Sequence, residues 1–261
     1  MSNYKELIAK SKFYKAITDK SYSDDKIIKL NIGAGPNIFP YNGWINYDRE
    51  LFTEYFSWLK STDSLVPKDS WQTDGPGSLE NLQKLQKFLL SNSIDYKIHD
   101  LRKPFLQHDN NSVDLIYVGQ VIEHLNPIHE VSKFLNECFR MMKPGAVIRL
   151  TTPDFDLLLK SYLENKMDSF SKDQPVFYKD HDPMSQLAFI MFGATGPKCT
   201  FDNYEGHMFM FTKTSMTSAL KNAGFKDIEF YSTLGKSKND CIQKEVIDAG
   251  ISHSFIVEAC K

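Results

Sequence analysis

Cysteine is scarce in this chain. Four residues, at 138, 199, 241 and 260, are spread over 261 positions, and no two stand at Cys-x-x-Cys spacing. That argues against a disulfide framework or a zinc ribbon and fits a reducing compartment. A basic excess is missing too. The 31 Lys and Arg are balanced by 33 Asp and Glu, a formal charge of −2, so general nucleic-acid binding is not expected. No apolar run is long enough to cross a bilayer, and Met-Ser-Asn-Tyr-Lys-Glu at the N-terminus lacks the apolar stretch of a secretory signal. Repeats and low-complexity tracts are absent. With 41% hydrophobic and 25% charged residues, the composition is that of a globular protein with no need of disulfides or metal for its core. The expectation is a cytoplasmic protein with no membrane or nucleic-acid partner.

What is present is a regular alternation of strand and helix patterns. Residues 27–32, 44–48, 96–100 and 113–118 read as strands, the last nearly all apolar, as a strand buried on both faces should be. Asn126 and Pro127 then suit the start of a helix whose apolar stripe includes Val131, Phe134, Leu135 and Cys138, stopped by Lys143-Pro144-Gly145. A strand at 146–151 follows at once, completing a βαβ unit and implying a parallel sheet. Thr212 caps a further helix that Gly224 ends, and 227–233 and 253–260 read as two last strands. The pattern predicts one α/β domain over 1–261, Rossmann-like and doubly wound, with a mostly parallel sheet and a late hairpin.

Three segments stand outside that scaffold. Residues 1–26 read as a helical extension, with an amphipathic pattern at 4–17. Residues 49–95, with a capped helix from Ser78, and residues 155–211, with helical patterns at 155–165 and 183–192, are longer than a crossover needs. They read either as substrate walls and lids or as extensions of the core.

Gly33-Ala34-Gly35 comes directly after the first strand, where ligands bind in open α/β sheets. It is not a dinucleotide fingerprint. The third glycine of that motif would stand at Ile38, the acid arrives early at Asp48, and Pro36 and Pro40 leave little room for a phosphate-binding helix. The turn suits a nucleoside without phosphates, with Asp48 accepting from the ribose hydroxyls.

Here the sequence resembles a family. Leu30-Asn31-Ile32-Gly33-Ala34-Gly35 with Gly43-Trp44-Ile45-Asn46-Tyr47-Asp48 looks like class I S-adenosylmethionine (SAM)-dependent methyltransferases, closest to a bacterial type 11-like branch with a short link between its first two strands. His99-Asp100-Leu101-Arg102, Ile122-Glu123-His124-Leu125, Met142-Lys143-Pro144-Gly145, Thr152-Pro153-Asp154 and Asn222-Ala223-Gly224-Phe225 continue the resemblance in order. It covers roughly 28–48, 96–155 and 205–260 and departs from the family at Ala34 and at Asn31, where an acid is frequent.

The resemblance implies a seven-stranded sheet with an antiparallel last strand and SAM as cofactor, released as S-adenosylhomocysteine. It implies that Asn31, Gly33, Ala34, Gly35 and Gln120 face the methionine moiety, Asp48 the ribose, and Asp100 and Leu101 the adenine. His124 and His207 are the candidate catalytic bases. Glu123, Asp154 and Tyr204 are candidate acceptor contacts. Glu123-His124 reads equally as packing and capping, and Asp154 equally as a helix cap; His181-Asp182 reads as a cap. No His, Cys and Asp cluster has metal-ligand spacing, so no catalytic metal is expected. The acceptor the resemblance implies is the oxygen or nitrogen of a small molecule, glycan or sugar nucleotide. A macromolecular methyltransferase is the competing reading, disfavoured by the charge balance and by the absence of an Asn-Pro-Pro-Tyr-type run. A SAM-binding protein without catalysis is the third.

Overall fold

Strands that bury both faces take the centre of the sheet, and the rest follow from where their side chains can go. The computed structural model describes residues 27–35, 37–40, 43–49, 89, 93–167, 182–192, 206–231, 236–246, 248 and 253–261. Among these, β1 (Lys29–Ile32), β2 (Trp44–Asp48), β3 (Asp95–Ile98), β4 (Val113–Gly119), β5 (Met142–Pro153), β6 (Lys226–Tyr231) and β7 (Ser254–Cys260) form one sheet, in the order β3-β2-β1-β4-β5-β7-β6. The helices are α1 (Glu130–Met141), α2 (Phe155–Leu163), α3 (Pro183–Phe192), α4 (Lys213–Asn222) and α5 (Asp240–Glu245).

Period-2 alternation sorts the apolar residues onto two faces. Leu30, Ile32, Ile116 and Val118 face α1 and α4, meeting Phe134, Leu135, Met216 and Leu220. Trp44, Leu115 and Tyr117 face the opposite way, meeting Phe39 and, from α5, Ile242. Both faces are covered, as the doubly wound expectation requires. The pairs β1–β2, β1–β4, β2–β3 and β4–β5 are parallel, and β7 runs antiparallel to both β5 and β6. Ile32 sits beside Tyr47 on one side and Val118 on the other. The carboxyl ends of β1, β2 and β4 thus share one edge. The chain leaves β1 toward β2 and returns on the other side at β4, so the strand order reverses between β1 and β4. Such a reversal opens a ligand crevice at the strands' carboxyl ends.

Local chemistry shifts several boundaries. α1 begins at Glu130 rather than Pro127, because Asn126 makes a turn of its own. Its Oδ1 accepts from Ile128 N at 2.9 Å and its carbonyl from Glu130 N at 2.9 Å. β5 starts at Met142, straight out of α1, so Lys143-Pro144-Gly145 lies in the strand, where the register with β4 shifts between Val113 and Leu115. α5, between β6 and β7, was not expected; Asn239 Oδ1 caps it, accepting from Cys241 N and Ile242 N. Thr212 and Ser215 form a reciprocal capping box at α4, and Asp182 caps α3 through the N–H groups of Met184 and Ser185. The expected helix at 4–17 and all but Leu89 of the one from Ser78 lie outside the described residues, as do most of 49–95 and, within 155–211, residues 168–181 and 193–205.

Candidate active site

The turn after β1 is held from below. Asn31 is buried, and its amide donates to the Asn37 carbonyl at 2.6 Å and to Asn46 Oδ1 at 2.9 Å. Asn46 in turn receives Phe39 N at 2.8 Å and donates to the Phe39 carbonyl at 2.9 Å. Asn31 therefore works as an anchor for residues 37–39, with its amide hydrogens directed there. The N–H groups of Gly33 and Ala34 both donate to the Tyr47 carbonyl, at 2.8 and 2.9 Å. Gly33 lies at φ +71°, and a Cβ there would stand 2.3 Å from Val121 Cγ2. The turn after β1 and the turn after β4 meet at that point, across the strand-order reversal.

Gly35 differs. Its φ is +48°, yet a Cβ would meet nothing within 4 Å. Its N–H donates to Asp48 Oδ2 at 2.7 Å, while Asp48 Oδ1 accepts from Arg49 N at 2.6 Å. These two bonds orient the Asp48 carboxylate at the turn. Asp100 follows β3 at the same edge. Arg102 grips both its oxygens, Nε at 2.8 Å from Oδ1 and Nη2 at 3.0 Å from Oδ2, and that pairing holds the carboxyl below its usual range. Leu101 beside it is half-buried against the core. Gln120 adopts φ +55°, and its amide donates to Ser254 Oγ at 3.0 Å and Thr151 Oγ1 at 3.3 Å. It ties the end of β4 to β5 and β7.

One turn further, Ile122–His124 form a single 3₁₀ turn. Glu123 is wholly buried; Thr152 Oγ1 donates to its Oε2 at 3.0 Å, and Oε1 has no partner. Burial pushes its carboxyl well up, against the opposing pull of His124, of backbone donation and of Thr152. Leaving a buried acceptor unpaired costs about 1–3 kcal/mol. The carbonyl of Glu123 receives Met208 N at 2.7 Å and Phe209 N at 3.1 Å, which clips the 206–209 segment onto this turn. His207 is thereby set against His124, ring centroids 4.9 Å apart. His124 Nδ1 bonds the Gly206 carbonyl at 3.1 Å, and His207 Nδ1 the Ile190 carbonyl at 2.8 Å. Burial first, then His124 and His253, push the His207 imidazole down to about 4, against the bond to Ile190.

Asp154 caps α2, Oδ1 accepting from Leu157 N at 3.2 Å. Tyr204 lies outside the described residues. The structure thus gathers Gly33, Ala34, Gly35 and Asp48 around one turn, and Glu123, His124 and His207 around another. Thr152 and His253 join the second group unforeseen. Thr152 stood within a quoted motif but carried no assigned role, and nothing near His253 in the sequence signals its place.

Residues 74–150 match a family model described as a methyltransferase domain. Over that segment the chain is similar to methyltransferase domains. The match runs from the segment before β3 into β5, with the glycine turn upstream of it. Among solved structures the chain is similar to a SAM-dependent methyltransferase from Thermotoga maritima, described as a possible histamine N-methyltransferase, at 12% identity and TM-score 0.44, over 99% of this chain and 89% of that one. It is similar to a SAM-dependent methyltransferase from Archaeoglobus fulgidus at 13% identity and TM-score 0.45, over 99% and 94%. One from Mesorhizobium loti aligns at 12% identity and TM-score 0.44, over 97% and 100%. No curated protein matches the chain.

The residues of the glycine turn fit SAM as a cofactor where this can be tested. The open space over Gly35 is a cradle a Cβ would enter, and Asp48 stands at its rim as a backbone-oriented carboxylate. When bound, SAM supplies a methyl group activated on a sulfonium. The chain's own work is to align an acceptor, exclude water and take care of the acceptor's proton.

Proposed function

We propose that this chain is a SAM-dependent methyltransferase that methylates an oxygen or nitrogen of a small-molecule, glycan or sugar-nucleotide acceptor. The observation that carries the reading is the half-buried His124–His207 pair beside Glu123, at the carboxyl end of β4 and across the strand-order reversal from the glycine turn. A hydroxyl acceptor must lose a proton as it is methylated, and two imidazoles at that edge supply the means. Asp48 holds the ribose and Gly33–Gly35 the methionine moiety. With its oxygens held by Arg102, Asp100 contributes to the adenine pocket mainly through the backbone and through Leu101. Tyr204 and Asp154 are further candidate contacts to the acceptor. A near-neutral charge balance favours a small acceptor over RNA.

The test is methyl transfer from labelled SAM to a panel of sugar nucleotides, oligosaccharides, phenols and amines, with RNA and protein alongside. Label is expected in a small-molecule or glycan product, with equimolar S-adenosylhomocysteine. Label confined to RNA or protein overturns the acceptor class. On the productive acceptor, His124→Ala should lose about 10²–10⁴-fold in rate with SAM affinity unchanged by calorimetry. Undiminished turnover in that variant removes the histidine from the reaction.

A further inference from the structure

Glu123, His124 and His207 each offer one ligand atom, and these atoms all lie within 4.8 Å of one another. We infer that the three residues form a binding site for one divalent first-row transition cation, of the zinc, iron or cobalt type. Sequence spacing gave no hint of it, because His207 reaches the pair from 83 positions away.

Four observations converge on this site. The first is the unpartnered Oε1 of Glu123, wholly buried beside the two rings. An acceptor of that kind needs a cation or a proton donor, and among the described residues it has neither. The second is the tautomer of the histidines. A carbonyl only accepts, so the bonds to Gly206 and Ile190 require both Nδ1 atoms to donate. Each lone pair is then on Nε2, and an Nδ1–H donating to a backbone carbonyl is the outer-shell arrangement that fixes metal-bound histidine. The third is Thr152, whose hydroxyl fixes the other carboxylate oxygen at 3.0 Å, as carboxylate ligands are commonly fixed. The fourth is the donor set itself. Two imidazoles and one carboxylate suit zinc or ferrous iron and leave positions open, whereas magnesium and calcium prefer oxygen alone.

The dimensions are compatible. Bonds of about 2.0–2.2 Å allow ligand atoms up to roughly 4 Å apart, so a spread of at most 4.8 Å closes with small side-chain rotations. Both histidines are half-buried rather than sealed, which leaves solvent access for the ion. The consequence for chemistry rests on the function proposed above. A hydroxyl acceptor coordinated here would lose its proton to water at lower pH than in bulk, so the two imidazoles would serve that deprotonation by holding the ion.

The experiment uses the full chain after dialysis against a chelator, titrated with Zn²⁺ by calorimetry and with Co²⁺ by visible absorption. The expected result is one ion per chain and the d–d bands of low-coordinate Co²⁺. Glu123→Gln, His124→Ala and His207→Ala should each weaken binding at least about 100-fold, and the positioning variant Thr152→Val about 10–100-fold. Circular dichroism and SAM titration of the same samples report whether each variant folds. If Glu123→Gln fails to fold, the two histidine variants decide alone. Absence of stoichiometric binding, or binding that both histidine variants retain, overturns the site. Loss of methyl transfer or of SAM binding in the metal-loaded wild type would instead overturn the functional reading, with the titration unaffected.

Discussion

Gly33 and Gly35 meet two different demands with one residue type. Both hold a positive φ, at +71° and +48°, which costs other residues about 1–3 kcal/mol. At Gly33 a Cβ also collides with Val121, and at Gly35 it enters open space. Gly33→Ala should therefore lower the melting temperature clearly more than Gly35→Ala, because over-packing adds about another 1–3 kcal/mol. Gly35→Ala should show its larger effect on SAM affinity. Thermal melts and SAM calorimetry on the two variants check the contrast, and equal melting shifts would contradict it. The glycines were legible because a turn after a first strand needs them whatever the tertiary context. Asn31 was less so. Its type was visible, but the Asn37 and Asn46 partners that turn its amide into an anchor come from a loop and a neighbouring strand. The unpaired oxygen of Glu123 was not legible at all, since burial is a property of everything packed around it.

At the scale of elements, caps decide boundaries. Thr212 and Ser215 exchange hydrogen bonds at the start of α4, with Ser215 N donating to Thr212 Oγ1 at 3.0 Å and Thr212 N to Ser215 Oγ at 2.9 Å. Thr212→Ala should cost about 0.5–2 kcal/mol and lower the melting temperature by roughly 1–8 °C, leaving SAM affinity intact. A melting curve with no shift would mean the cap is replaced by solvent. The same local logic made α4 readable from Thr212 to Gly224. It misplaced the start of α1, because Asn126 followed by Pro127 is equally the signature of a free-standing turn, and the choice falls to Glu130, whose carboxylate accepts from Asn126 N at 2.9 Å. α5 escaped notice because six residues carry too little periodicity to register.

Over the whole molecule, buried charge joins segments far apart in the chain. Lys29 of β1 and Glu245 of α5 are nearly inaccessible, with Nζ 2.5 Å from Oε2; the same oxygen accepts from Trp44 Nε1 at 2.7 Å. On β5, Arg149 is buried between Asp248 and Glu258, at 2.6 and 2.5 Å. Breaking such a pair from one side costs about 3–5 kcal/mol, whereas replacing both partners with apolar residues can be neutral. Glu245→Ala should thus lower the melting temperature by roughly 6–20 °C, and Lys29→Met with Glu245→Leu should recover most of it. A double variant no more stable than the single one would assign the loss to packing. The alternation of strands with helices was legible in the sequence, whereas the order of the strands in the sheet and α5 were not. Nor were these cross-links, because a charged residue in a strand pattern reads as solvent-facing until its partner is known.

The place of β7 has a consequence for biosynthesis. Among the described residues β7 is an interior strand, inserted between β5 and β6. Until Ser254–Cys260 leave the ribosome, β5 presents an open hydrogen-bonding edge over residues 147–153, and β6 has no strand beside it. An exposed edge next to the apolar side chains of Ile148 and Leu150 is a template for wrong pairing. Closure of that edge therefore waits for Ser254–Cys260, the strand that joins β6 to the rest of the sheet.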